Sequence, residues 1–296
     1  MNAISSRITA LGAALGAMLL GGCQQVYFRT LNVGIPSADR QSVVFDPEHQ
    51  LSLDVYRPKQ TDSRTPVVVF FYGGSWRDGN RGFYRFVGEA LSRRGVLVVI
   101  PDYRKAPADV FPAFMEDAAK ATAWARANAS KWGGDPSRVY LMGHSAGAHI
   151  AALLGTDPTY LEQWRIKPRD LAGVIGLAGP YDFLPFTDPK IQEVFGSKKN
   201  WPKSQPVNFV DGDEPPFLLL HGSSDKRVWQ MNSEHLAARL QAAGEPVTLR
   251  IIANTGHIGL LNGFLSPRFS PVLEESLNWM RSTAPRGRAA SASISN

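Results

Sequence analysis

Val139-Tyr-Leu-Met-Gly-His-Ser-Ala-Gly-Ala-His-Ile-Ala-Ala-Leu-Leu154 changes character at its centre. Its first half is apolar and suits a buried strand. Its second half is rich in Ala and Leu and suits a helix. Ser145 stands at the junction with Gly143 and Gly147 two residues to either side. A strand that turns sharply into a helix forces strained backbone angles on the residue at the turn. It also brings neighbouring backbones so close that a β-carbon at either flanking position would clash. Two glycines remove that clash and leave one hydroxyl exposed at the end of the strand. The helix behind it places free N–H groups and the positive end of a dipole beside any negative charge that develops there.

Outward from this stretch, strand and helix signals alternate. Val67–Tyr72, Val96–Ile100, Val139–Met142, Val174–Leu177, Phe217–Leu220 and Val247–Ile252 read as strands. Arg81–Arg93, Phe111–Ser130, Ala146–Leu154, Trp229–Ala243 and Pro271–Arg281 read as helices, and Val43–Phe45 and Leu51–Tyr56 as two earlier strands. Such alternation predicts an α/β domain with a mostly parallel central sheet flanked by helices, and a site at the carboxyl ends of the strands. Tyr181–Gly212, rich in Pro and aromatic residues, breaks the rhythm and is expected to be a small insertion over the site.

A serine nucleophile needs a base, an acid to orient the base, and donors for the oxyanion. On a sheet of this kind the chain order is Ser, then Asp or Glu, then His. His257 follows the last strand in a loop at the carboxyl edge, whereas His149 and His235 fall within helices and His221 precedes the candidate acid. These three are expected to serve packing or the surface. Asp225 lies in the loop after the Phe217–Leu220 strand, between Ser145 and His257 in the chain. Asp182 is the second choice for the acid, while Asp211, Asp213 and Glu214 precede that strand and start at the wrong edge. Tyr72-Gly-Gly-Ser-Trp76 follows an earlier strand, which makes the backbone N–H groups of Gly74, Ser75 and Ala146 the candidate oxyanion hole.

Together these residues resemble the α/β-hydrolase superfamily, in its esterase/lipase branch related to hormone-sensitive lipase. The resemblance runs from about Leu51 to Met280 and includes Asp102-Tyr-Arg104, Gly133-Gly-Asp-Pro136, Gly143-His-Ser-Ala-Gly147 and His221-Gly-Ser-Ser-Asp225. The Tyr72–Trp76 element is similar to that of carboxylesterases and kynurenine formamidases, and closer to the prenylcysteine methylesterase-like group. Tyr72 stands where the branch usually has His, and Ser75 where a third Gly is common. The resemblance implies an α/β-hydrolase fold and a serine carboxylesterase that hydrolyses a small-molecule ester through an acyl-enzyme on Ser145, with Asp225 and His257. It implies no metal and no organic cofactor. An amidase, formamidase or peptidase on the same fold is the alternative reaction, and an inactive hydrolase-like binding protein the alternative class.

The formal charge of +6 is spread along the chain, forms no basic block and accompanies no nucleic-acid motif, so no nucleic-acid partner is expected. The single cysteine, Cys23, excludes an intrachain disulfide. Met1–Arg7 carries positive charge, Ile8–Leu20 is small and apolar, and Leu20-Gly-Gly-Cys23 follows. This is the layout of a signal peptide, with an apolar run too short to span a bilayer. Leu-Gly-Gly-Cys resembles the lipobox of bacterial lipoproteins, which implies cleavage before Cys23, acylation of that residue and a lipid-anchored place in the cell envelope. Gln24 in place of Asp favours the outer over the inner membrane. The expected division is therefore a signal peptide over 1–22, a membrane-proximal linker over 23–42, the hydrolase domain over 43–283 and a disordered tail over 284–296.

Overall fold

The computed structural model describes residues 23–35 and 39–283. The expected signal peptide over 1–22, the expected tail over 284–296 and the side chain of Cys23 lie outside the described residues. The chain runs α1 (Cys23–Leu31), β1 (Asp39–Asp46), β2 (Leu51–Arg57), β3 (Val67–Phe71), α2 (Arg85–Ser92), β4 (Leu97–Pro101) and α3 (Ala113–Asn128). It continues through β5 (Val139–His144), α4 (Ala146–Thr156), α5 (Thr159–Glu162), β6 (Gly173–Leu177), α6 (Pro189–Phe195), β7 (Phe217–Gly222), α7 (Met231–Ala242), β8 (Val247–Ile252) and α8 (Val272–Ser282).

One eight-stranded sheet has the order β1-β2-β4-β3-β5-β6-β7-β8. The β1–β2 and β2–β4 pairings are antiparallel and the rest are parallel. The strand order reverses around β3, so β3 and β5 lie side by side at the centre. Strands β3 to β7 are buried along their whole length, as strands covered by helices on both faces must be. Their near-continuous Val, Leu, Ile and Phe is the sequence consequence. The edge strand β1 is exposed over its first half and β8 is half-buried, and the polar start of β1 hid its beginning at Asp39.

The stretch 23–42, expected to be a linker, is built differently. It contains α1, whose Tyr27, Phe28 and Leu31 are buried against the domain. Phe28 packs against Phe83, Tyr84 and Phe86, and the Tyr27 hydroxyl donates to Asn262 Oδ1 at 2.6 Å. The Asn32 side chain donates to the Phe83 carbonyl and accepts from the Phe86 N–H, both at 3.0 Å. Three apolar side chains at one helix face explain the docking.

Candidate active site

Ser145 sits between β5 and α4 with φ 56° and ψ −122°, a conformation costly for any residue with a β-carbon. Its N–H donates to the Leu177 carbonyl at 2.9 Å, which pins the turn to β6. A β-carbon on Gly143 would collide with the Gly147 carbonyl, and one on Gly147 would collide with the Phe71 carbonyl of β3. Either substitution would push the turn off the sheet.

The structure brings Ser145, His257 and Asp225 together from three loops at the carboxyl edge. Ser145 Oγ lies 2.8 Å from His257 Nε2, and His257 Nδ1 lies 2.7 Å from Asp225 Oδ2. The Asp225 carboxylate is fully buried. Its other oxygen accepts the backbone N–H groups of Arg227 at 2.8 Å and Val228 at 3.0 Å. Burial alone would raise the pKa of Asp225. Hydrogen bonds from His221, His257 and the Val228 N–H outweigh it and hold the carboxyl well below the usual range. Asp225 is therefore a fixed anion beside the imidazole.

The remaining histidines divide as packing or surface groups, with two closer to the chemistry than the sequence suggested. His221 is buried, 3.4 Å from Asp225 Oδ2. Its Nδ1 meets Ser233 Oγ at 2.7 Å and its Nε2–H donates to the Val228 carbonyl at 2.9 Å. His144 donates from Nε2 to the His257 carbonyl at 3.0 Å and so holds the loop that carries the imidazole. Burial, with the neighbouring His257 charge, pushes His144 down to about 3, so it adds no cation beside His257. His149 accepts from Trp76 Nε1 at 3.3 Å and donates to the Ser204 carbonyl at 2.7 Å, a packing role. His235 pairs at the surface with Asp182, at 2.6 Å, which removes Asp182 from contention as the acid.

Gly74 and Ser75 border the same small cleft as Ser145, with His144, His257 and Tyr84. Gly73 approaches so closely that a β-carbon there would lie 3.1 Å from that of Ser145. Among the described residues the N–H groups of Gly74, Ser75 and Ala146 donate to no protein acceptor, whereas the Gly73 N–H is taken by the Tyr84 hydroxyl at 3.2 Å. Ala146 is the first residue of α4, where a helix leaves its N–H free. Tyrosines stiffen the Gly-Gly loop. Tyr72 stacks between Tyr84 and Tyr103, its hydroxyl donates to Asp102 at 3.0 Å, and the Tyr103 hydroxyl donates to the Tyr72 carbonyl at 2.8 Å. Tyr84 had no local sequence signal. It lies in a 3-10 turn, Arg81–Tyr84, where a continuous helix was expected.

The cleft holds about 40 Å³. The 181–212 stretch supplies none of the lining of this small cleft. It packs beside the Gly-Gly loop instead, where Phe183 stacks on Trp76 at 5.9 Å and Phe195 meets Trp76 edge-on at 4.9 Å. Elsewhere Asp46, His49 and Asp117 come close enough to share a cation. Lys120, 2.9 Å from Asp46, and Arg104, 2.8 Å from Asp117, already neutralise those carboxylates.

A strained serine at a β5–α4 turn, a buried Asp–His pair reaching it, and free N–H groups alongside are laid out as in an α/β-hydrolase. The BD-FAE family profile matches residues 53–240, and the chain belongs to that family. It is similar to the isoprenylcysteine alpha-carbonyl methylesterase ICME of Arabidopsis thaliana, 30% identical over 244 residues that make up 75% of this chain and 57% of the relative. It is likewise similar to esterase LipC of Mycobacterium tuberculosis, 31% identical over 69% of this chain and 55% of the relative. The chain thus spans little more than half the length of these relatives. A truncated carbohydrate esterase from gut microbiota shares the fold, with a TM-score of 0.72 and 22% identity over 84% of this chain and 98% of that structure.

Proposed function

We propose that this protein is a serine carboxylesterase that hydrolyses small or medium-sized esters through an acyl-enzyme on Ser145. The observation that carries the reading is the unbroken hydrogen-bonded line from Ser145 Oγ through His257 to buried Asp225, beside free N–H donors. Ser145 Oγ attacks the ester carbonyl carbon as its proton passes to His257 Nε2. The negative carbonyl oxygen is received by the N–H groups of Gly74, Ser75 and Ala146. Asp225 accepts the His257 Nδ1–H, which keeps Nε2 free as the base and then stabilises the imidazolium. His257 returns the proton to the departing alkoxide, the ester C–O bond breaks, and the acyl group stays on Ser145. Water, deprotonated by His257, repeats the sequence and releases the acid.

The same reading extends to the N-terminus. Residues 1–22 are a signal peptide, Cys23 carries acyl chains, and the enzyme is anchored in a bacterial envelope, preferentially at the outer membrane. Support comes from the charged start, short apolar run and Leu-Gly-Gly-Cys23. Intact mass of protein isolated from its native envelope tests this: acylated Cys23 as first residue is expected, and Met1 or an unmodified Cys23 contradicts it. For the reaction, nitrophenyl esters of two to eight acyl carbons are assayed in parallel with formylkynurenine and nitroanilides. Preference for the esters is expected. Faster amide or formamide cleavage would replace the esterase by an amidase on the same residues.

A further inference from the structure

We propose that the carboxyl edge of the sheet, with the mouth of the catalytic cleft, lies against the lipid bilayer, so that the enzyme draws its ester from the membrane. The proposal rests on the acyl anchor at Cys23 and concerns how that anchor orients the domain.

α1 begins at Cys23 itself, so no flexible tether separates the anchor from the fold. Tyr27 is four residues on, about 6 Å along the helix axis. Tyr27 and Phe28 both meet residues of the catalytic edge. Tyr27 bonds to Asn262, in the 3-10 turn that follows His257. Phe28 packs on Tyr84 with ring centres 4.8 Å apart, and Tyr84 both borders the cleft and holds the Gly73 N–H. An acyl chain leaving Cys23 therefore enters lipid within one or two helical turns of the cleft wall.

The distribution of exposed apolar side chains agrees independently. Ten large apolar residues are exposed among the described residues. Val26 and Val33 belong to α1 and the turn after it, while Val110, Leu184, Trp229, Met231 and Phe269 lie on loops or helix starts that follow β4, β6, β7 and β8. Val44 and Ile251 stand near the carboxyl ends of the edge strands β1 and β8, on the same side of the sheet, and Trp164 lies on the connection that enters the amino end of β6. A surface that exposes apolar groups mainly on one side, next to its own lipid attachment, suits a bilayer interface. Trp229 is 67% exposed on the loop that also carries Asp225 and the exposed cations Lys226 and Arg227, an arrangement suited to the headgroup level. Among the described residues no helix is long and apolar enough to cross a membrane.

The test uses acylated full-length protein in phosphatidylethanolamine–phosphatidylglycerol vesicles with brominated acyl chains, which quench nearby tryptophan emission. Trp229→Phe should remove most of the quenched component and Trp164→Phe should leave it unchanged. In unbrominated vesicles, the triple change Trp229→Ser, Met231→Ser, Phe269→Ser should slow hydrolysis of a membrane-dissolved long-chain nitrophenyl ester by roughly tenfold. Aqueous nitrophenyl acetate should change by less than about twofold, since none of the three residues touches the cleft. Mass analysis of the same preparation separates the two proposals. An acylated chain whose quenching survives Trp229→Phe, or is lost with Trp164→Phe, overturns the orientation alone. An unmodified Cys23 overturns the anchor and this placement with it.

Discussion

Two aspartate–histidine pairs in this molecule have nearly the same geometry and opposite surroundings. His257 Nδ1 and Asp225 are 2.7 Å apart, and His235 Nδ1 and Asp182 are 2.6 Å apart. The Asp225 side chain is 0% exposed and that of Asp182 is 40% exposed. Asp225 is fixed by two backbone N–H groups and His221, whereas Asp182 faces solvent that screens its charge. His257 reaches Ser145 Oγ through its second nitrogen. A short contact between carboxylate and imidazole is thus common to both pairs. What sets the proposed catalytic pair apart is an immobile, desolvated anion on one side and the Ser145 hydroxyl on the other.

Removing each imidazole in turn separates the two pairs by the widest margin. His257→Ala should lower kcat for a nitrophenyl ester by about 10⁴- to 10⁶-fold, the usual cost of losing the base. His235→Ala should change it by less than about twofold. Equal losses would mean that burial and reach to Ser145 do not separate the pairs. Next comes Asp225→Asn, expected to reduce kcat by about 10⁴-fold with the fold retained, because the amide favours the wrong imidazole tautomer. Asp182→Asn should leave turnover unaltered, and, as an exposed ion pair, should shift stability by less than about 1 kcal/mol in denaturant titrations.

A smaller effect belongs to the loop that faces the triad. If the Ser75 N–H receives the oxyanion, Ser75→Gly keeps the donor and most of the activity. Ser75→Pro deletes it, at a cost of about 10²- to 10³-fold in kcat. Circular dichroism must show both variants folded. Large and equal losses would assign the contribution to the hydroxyl, and near-normal turnover in a folded Pro variant would shift the hole towards Gly74 and Ala146.

The smallest effect is on stability. Burial lowers His144 to about 3 and His149 to about 4, both from 6.5. Between pH 6.5 and 4 the unfolded chain therefore binds more protons at these sites than the native one. Their contribution is complete above about pH 6.5 and is lost as pH falls, at up to about 1.4 kcal/mol per pH unit for each histidine. Urea unfolding at pH 7, 6 and 5 should show that decline, and His149→Gln should flatten it by one proton's worth. An unchanged slope in that variant would show that His149 is not kept neutral by the fold.

The Ser145 turn was legible because its demands are local: two glycines, an apolar strand before and a small-residue helix after. The order Ser145, Asp225, His257 was legible because strand alternation places every intervening loop at one edge or the other. Contacts between distant segments carried no such mark. His144 meets the backbone 113 residues away, and the Tyr84 hydroxyl meets Gly73 only because a 3-10 turn interrupts the expected helix. α1 was hidden by its polar face, although Tyr27, Phe28 and Leu31 have the spacing of one helical stripe. The 181–212 stretch was recognisable as an irregularity, but its seat on Trp76 depends on ring packing that no local pattern encodes.

Labelling with a fluorophosphonate, which bonds to an activated serine, decides whether Ser145 is the nucleophile. After labelling of the folded protein, peptide mass analysis should place one adduct on Ser145, and Ser145→Ala should carry none while His235→Ala is labelled like the parent. An adduct on another serine, or undiminished labelling of folded Ser145→Ala, would contradict the account.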